Sequence, residues 1–315
     1  MTELVNIDNF RAAETARMFD NTTRLNGGRT NTWYHFREPA PVDDQPVIRF
    51  NRDTLYSAAI VDISEGATVT VPDAGDRYLS VMALNAEHYV NRVFSEPGTY
   101  ELTVEEHETP FINLSARIFA DPNSASDLAE VNRLQDQLAL TARAARPYEH
   151  TDYDVESLDA TRELLLRLGE GIADTEQMFG SRSEVEPTRH LIGTAVGWGG
   201  LPVTEAYYYL ESVPRDVGRY TITVSDVPVD GFWSVTIYNA AGLLEPNRFN
   251  AYSINGVTAA PEPDGSVVLN LAPTADGLKN HLYVMDGWNY AFRLYRPHGV
   301  VLDKTWTPPT PHRVD

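Results

Sequence analysis

The chain carries one pattern twice, and a repeat constrains the fold more than any other feature of a sequence. Asp76-Arg-Tyr-Leu-Ser-Val-Met-Ala-Leu-Asn-Ala86 aligns with Asp230-Gly-Phe-Trp-Ser-Val-Thr-Ile-Tyr-Asn-Ala240. Asp, Ser, Val, Asn and Ala fall at a constant offset, and Tyr78 stands where Phe232 does. Upstream, Thr70-Val-Pro-Asp73 is similar to Thr223-Val-Ser-Asp226 once one short insertion is allowed. Each copy reads as strand, turn and strand, then a loop opened by Asn85 or Asn239. Two similar antiparallel modules follow, each burying one face of its strands.

The surrounding patterns fill in the rest. Phe10, Ala13, Ala16 and Phe19 recur at helical spacing, which predicts a helix over 3–25 stopped by Asn26-Gly27-Gly28. Val42 to Ala120 reads as a series of strands: VIRF, TLYSAAIVDI, ATVTV, DRYLSVMAL, GTYELTV and FINLSARIF. Leu128, Val131, Leu134 and Leu138 mark a helix with Asp127 near its start, a second helix is expected near 156–169, and a third from Glu186-Pro187 to Gly197. From Gly218 the chain is β-rich again. The expected fold is mainly β with α segments, in four parts: an N-terminal helix (1–30), a first jelly-roll-like antiparallel β-sandwich (31–120), a helical segment (121–217) and a second sandwich (218–315).

Composition removes whole classes of function. A chain of 315 residues, 42% hydrophobic and 22% charged, is globular and long enough for two cores. With no cysteine, disulfides, thiolate metal sites and cysteine nucleophiles are out. A net charge of −20 repels phosphate backbones, so nucleic acid is not an expected partner. No apolar run reaches the ~20 residues of a membrane span, and the N-terminus lacks a secretory h-region. The expectation is a cytoplasmic protein with no membrane partner.

Val47-Ile-Arg-Phe-Asn-Arg-Asp-Thr-Leu-Tyr-Ser57, with Val61-Asp62, resembles the signature of the family called domain of unknown function 1254. Asp230 to Asn239, with Arg293-Leu-Tyr-Arg-Pro297 and Trp306-Thr-Pro-Pro, resembles domain of unknown function 1214. The resemblance implies a tandem β-sandwich architecture with a helical middle. It implies no activity.

Five clusters have the residue types for chemistry. In Asn51-Arg52-Asp53-Thr54-Leu55-Tyr56 an alternating strand, with Ile48 and Phe50 on one face, breaks into polar residues. Asp53 suits a general base or metal ligand, Arg52 an anion clamp and Tyr56 a proton donor, with Asn51 beside them. The competing reading is that Arg52 and Asp53 hold a structural corner. In the loop after the first repeat, Glu87, His88 and Arg92 bring together an acid, an imidazole and a guanidinium. The second copy has Asn239-Ala-Ala-Gly-Leu there, which directs attention to the first module. Trp33 and His35 belong to an aromatic run that serves a stacking pocket or a core plug. Arg189-His190 and the glycines after it either admit a ligand or end a helix. Around Asp286-Gly-Trp-Asn-Tyr290, the residues Asn289, Ala291, Arg293 and Tyr295 share a polar strand face, suited to a cleft or to packing.

There is no Gly-x-Ser-x-Gly elbow, no His-Glu-x-x-His and no dinucleotide fingerprint. The expected function is an enzyme without organic cofactor, performing hydrolase or lyase acid–base chemistry on a hydroxylated or carboxylated metabolite. Asp53, His88, Tyr56 and Glu87 are the catalytic candidates. Arg52, Asn51, Arg92, Trp33, His35, Trp233 and Arg293 are the substrate-binding ones. A divalent metal remains open, because the eight dispersed histidines need folding to assemble a site. The alternative is a non-catalytic small-molecule binder or a homo-oligomeric assembly protein of the same family.

Overall fold

The polar face of a β-strand goes where alternation sends it, so the sheets determine which side chains meet. A computed structural model describes residues 2–43, 45 and 49–314. Of the strand expected at 47–50, Val47 and Ile48 lie outside the described residues. The chain forms two compact units that interleave in sequence: residues 1–37, 55–119 and 124–202 make the first, and 38–54, 120–123 and 203–315 the second.

In the first unit, α1 (Phe10–Leu25) buries Phe10, Ala13, Ala16 and Phe19. It starts later than the expected residue 3, because the Asn6 and Asn9 side chains fold the preceding residues into a turn and Glu3 bridges to Tyr153. β1 (Tyr34–His35), β2 (Thr54–Asp62), β3 (Ala67–Val71), β4 (Leu79–Asn85), β5 (Val90–Phe94), β6 (Gly98–Leu102), α2 (Val104–His107) and β7 (Phe111–Phe119) follow. α3 (Ala125–Gln135) is capped by Ser124, whose hydroxyl accepts the Asp127 N–H. Then come β8 (Ala139–Ala142), α4 (Val155–Leu168) and α5 (Pro187–Val196). α5 begins as the sequence predicts, with Glu186 as cap and proline in the first turn. Two sheets result, in orders β1-β2-β7-β4-β5 and β6-β3-β8. Val5, Phe10, Ala13, Leu158, Leu165, Ile192 and Ala195 join α1, α4 and α5 in one apolar cluster. Each of the larger side chains, Val, Leu, Ile and Phe, contributes about 1.5–3 kcal/mol when fully buried.

The second unit contains β9 (Ala206–Arg215), β10 (Tyr220–Val224), β11 (Trp233–Tyr238), β12 (Ser253–Asn255), β13 (Val267–Ala272), β14 (His281–Tyr283), β15 (Trp288–Tyr295), α6 (Gly299–Leu302) and β16 (His312–Arg313). Its sheets run β12-β11-β15-β9 and β14-β13-β10-β16. Ile222, Leu269 and Leu271 meet Val235, Ile237, Phe292 and Leu294 in one core, as in a sandwich. Within 121–217, β8 and β9 are strands; in β9 the run Ala206-Tyr-Tyr-Tyr-Leu210 has the aromatic content that pleated surfaces favour.

The sequence repeat is a repeat of topology. β4 lies between β7 and β5, and β11 lies between β15 and β12. β3 lies between β6 and β8, and β10 lies between β13 and β16. The registers agree residue by residue: Ser80 faces Arg117 and Leu84 faces Asn113 in one copy, Ser234 faces Arg293 and Tyr238 faces Asn289 in the other. Each copy therefore places an arginine and an asparagine on the same side of its central strand pair.

Candidate functional site

In the second unit, Val235 and Ile237 of β11 and Phe292 and Leu294 of β15 point into the core. Alternation leaves Ser234, Thr236 and Tyr238 beside Asn289, Ala291, Arg293 and Tyr295 on the opposite face. Val42, Leu210, Leu244 and Tyr252 pack around Tyr238 and Ala291 there. The result is a covered face lined with polar groups.

Arg293 is only 5% exposed. A buried guanidinium is tolerated when its donors are used. Nη1 donates to Thr236 Oγ1 at 2.9 Å, and Nη2 donates to the Tyr238 hydroxyl at 2.6 Å and to the Arg49 carbonyl at 2.9 Å. Burial pulls its pKa down, but Tyr238, Tyr295 and Asp53 pull harder the other way, so it stays charged. Tyr238 donates in turn to the Phe50 carbonyl at 2.9 Å. Burial raises the pKa of that phenol against the pull of Arg293.

Asp53 is 1% exposed. The Asn51 side chain sets its approach: Oδ1 accepts the Asp53 N–H at 2.8 Å, and Nδ2 donates to the Tyr295 hydroxyl at 2.8 Å. Asp53 Oδ1 accepts from Ser253 Oγ at 2.8 Å, and Ser253 Oγ lies 3.1 Å from Thr236 Oγ1. The direction of this chain is fixed. Arginine can only donate, and the Ser253 proton is given to Asp53, so Thr236 donates to Ser253. A one-way relay runs from Arg293 through Thr236 and Ser253 to Asp53 Oδ1. The other oxygen, Asp53 Oδ2, is buried and has no hydrogen-bond partner among the described residues. Arg52 donates to the Ala40 carbonyl at 2.9 Å, with its guanidinium 5.4 Å from the centre of the Tyr252 ring.

Trp233 packs in the core, where Gly256 passes so close that an added Cβ would lie 2.5 Å from the indole nitrogen. It is a core residue and does not join the polar face.

The other candidates belong to the first unit. His88 is fully buried, with Nε2 accepting the Gly199 N–H at 2.9 Å. Its Nδ1 must then carry the proton, and it donates to Thr194 Oγ1 at 2.9 Å. Burial, then His190 and Arg11, hold its pKa well below the ordinary histidine value. Both ring nitrogens are taken, so His88 in this arrangement positions α5 and has no lone pair for proton transfer. Its ring stacks on His190 at 5.3 Å, and His190 stacks on Tyr89 at 4.6 Å. Glu87 lies in the same turn, its N–H held by Asn85 Oδ1 at 2.9 Å. Arg92 sits on β5 and pairs with Glu106 at 3.1 Å over the Phe94 and Tyr100 rings. The Tyr56 ring lies under the Arg117 guanidinium at 5.6 Å. Trp33 and His35 stack at 6.4 Å, and His35 Nδ1 meets Ser57 Oγ at 2.8 Å. Burial and Arg37 lower the His35 pKa.

Asp53, Arg52, Asn51 and Arg293 thus share the second unit, while His88, Glu87, Arg92, Tyr56, Trp33 and His35 belong to the first. Thr236, Tyr238, Ser253 and Arg49 join the Asp53–Arg293 cluster without having been singled out from sequence. The signal for two of them was present: Ser234, Thr236 and Tyr238 alternate opposite the strand of Arg293. Among the described residues, no group of three or more His, Asp or Glu is placed to hold a metal ion.

Two units with duplicated strand order define a tandem β-sandwich protein with helices attached to the first sandwich. The chain belongs to the tandem of two families of uncharacterised proteins: residues 30–142 match the protein of unknown function DUF1254, and residues 214–299 match the protein of unknown function DUF1214. No curated protein matches the chain. The crystal structure of the VPA0106 protein from Vibrio parahaemolyticus is similar, with a TM-score of 0.76 at 19% identity, covering 98% of each chain. A putative uncharacterised protein from Burkholderia cenocepacia aligns with a TM-score of 0.54 at 17% identity, over 97% of this chain and 87% of that one. At these identities the likeness is one of fold. No helix among the described residues is long and apolar enough to cross a membrane.

Proposed function

We propose that the second unit is a small-molecule enzyme site in which Asp53 is the proton acceptor. The observation that carries this reading is the second oxygen of Asp53, buried and without a hydrogen-bond partner among the described residues, on a carboxylate linked to a buried arginine. Buried polar groups are ordinarily satisfied, so an open acceptor among polar neighbours is where a ligand donor belongs. The Arg293–Thr236–Ser253 relay fixes the carboxylate by its other oxygen, which leaves Oδ2 without a partner among the described residues. The reaction class is an acid–base step of hydrolase or lyase type on a small hydroxylated or carboxylated molecule, with no organic cofactor. Arg52 and Asn51, chain neighbours of Asp53, are the substrate-binding candidates beside it.

One observation favours binding without turnover. The Tyr238 hydroxyl already gives its proton to the Phe50 carbonyl, so the cluster lacks an obvious second proton donor. A thermal-shift screen of small hydroxy compounds, followed by NMR of the hits, separates the two readings. The enzyme reading expects a stabilising compound to be consumed, and Asp53→Asn to slow that by about 10²–10⁴-fold. Turnover unchanged in Asp53→Asn removes Asp53 as the base, and a hit that persists indefinitely makes the unit a binder. We further propose a cytoplasmic homo-oligomer: light scattering of the purified chain tests the oligomer, and elemental analysis tests for a divalent metal.

A further inference from the structure

We infer that the second unit's polar site takes a small carboxylate, whose charge is received by Arg49; this rests on the reading of Asp53 as the acceptor for the same ligand. Arg49 and Arg293 each hold their guanidinium carbon 5.8 Å from the centre of one ring, that of Tyr238. Two cations on one tyrosine repel each other. Arg49 Nη1 is buried and has no hydrogen-bond partner among the described residues. Arg52 adds a third guanidinium, spent on the Ala40 carbonyl and the Tyr252 ring.

Against these three charges the hydrogen-bonded network offers, among the described residues, the carboxylate of Asp53, which is linked to Arg293 through two hydroxyls. Glu211 acts on Arg49 at a distance but is paired with Arg215 at 3.4 Å. A local excess of positive charge is the more notable because the chain carries a net charge of −20. A half-buried cation whose buried donor has no acceptor among the described residues is costly, and an anion offsets that cost. The Asp53 charge selects among anions. A doubly charged phosphate would meet it unfavourably, whereas a singly charged, planar carboxylate fits a guanidinium edge. A hydroxyl beside that carboxylate would then supply the proton that Asp53 Oδ2 lacks. A hydroxycarboxylate carries both a charge for Arg49 and a donor for Asp53 Oδ2.

The test titrates the full chain with acetate, acetamide and glycolate by saturation-transfer NMR. Acetate is expected to bind at least tenfold more tightly than acetamide, more weakly as NaCl rises, and glycolate more tightly than acetate. Arg49→Gln should weaken acetate and glycolate at least tenfold, and Arg49→Lys, which keeps the charge, should weaken them by less. Melting curves of both variants establish that they fold. Equal binding of acetate and acetamide, no binding of either carboxylate, or unchanged acetate binding in a folded Arg49→Gln overturns the inference. Asp53→Asn separates the two readings: it should erase the preference for glycolate over acetate while acetate still binds. If that preference survives, the role given to Asp53 fails and the anion site at Arg49 stands.

Discussion

His88 occupies in the first unit the backbone position that Gly242 occupies in the second. Both stand three residues after the asparagine that closes the repeated strand, at φ +67° and +78°. The surrounding turns match bond for bond. Asn85 Oδ1 accepts from the N–H groups of Glu87 and Tyr89, as Asn239 Oδ1 does from Ala241 and Leu243. Asn85 N–H donates to the Tyr89 carbonyl, as Asn239 N–H does to Leu243. Glycine accepts the left-handed conformation freely, and a histidine there costs about 1 kcal/mol or more. The first unit keeps the strained residue because its ring ties the turn to α5 through Thr194 and Gly199.

His88→Gly tests that balance. Relief of the backbone should return about 1 kcal/mol, but the Gly199 N–H loses its acceptor and a ring-sized cavity opens. A net loss of about 2–4 kcal/mol in urea unfolding is expected. A neutral or stabilising His88→Gly would mean that the ring does not hold the end of α5.

The same histidine predicts an acid-sensitive first unit. His35, His88, His107 and His190 all have pKa values below the ordinary one, with burial as the leading cause. In the unfolded chain each binds a proton near pH ~6.5. Below that value the unfolded state holds more protons than the folded one, so stability rises with pH and its full value is present only above ~6.5. Each group can contribute up to about 1.4 kcal/mol per pH unit. Stability measured from pH 7.5 to 5 should fall on the acid side, and a flat profile would contradict the neutral, buried state of these rings.

Asp62 sets a second limit, further into acid. Burial pushes its pKa up, but Arg146 and Ser64 hydrogen bonds outweigh that and hold it well below the usual carboxylate range. Its oxygens accept from Arg146 N, Nε and Nη2 at 2.9–3.0 Å and from Ser64 Oγ at 2.6 Å. The contribution is complete above pH ~4 and is lost as pH falls below the unfolded value. Asp62→Asn should cost about 1.5–3 kcal/mol at pH 7, a hydrogen bond to charge being worth that much, and should flatten the acid limb below pH 4. An unchanged limb would assign acid unfolding to other groups.

These groups also show how much of the molecule could be read in advance. The repeat at 76–86 and 230–240 located an inner strand of each unit, because alternation and turn chemistry are local. Residues 289–295 fell on their expected faces for the same reason. What stayed hidden is non-local. Val90 to Arg92 reads as part of a polar loop, yet these residues belong to β5, which pairs with β4. His88 looked reactive because its sequence neighbours are polar, whereas Thr194 and Gly199, more than 100 residues away, consume both nitrogens. Asp53 had the reverse fate: its relay partners Thr236, in the second repeat, and Ser253, on β12, are distant in sequence, and only their arrival gives the carboxylate one bound oxygen.

That relay makes the last prediction. If Arg293 and Asp53 communicate through Thr236 and Ser253, removing either hydroxyl should uncouple them. Thr236→Val keeps the shape and takes away both the acceptor for Arg293 and the donor to Ser253. Alone it should cost about 1–3 kcal/mol, because a buried guanidinium donor is left unpaired. Asp53→Asn and Thr236→Val should be non-additive by about 0.5–3 kcal/mol in a double-mutant cycle, as residues in one network are. Asp53→Asn and Val224→Ala, which share no partner, should add. Additivity in the first pair would mean that the hydroxyls are neighbours without being a connection, and the carboxylate would then owe its position to Asn51 and the local turn alone.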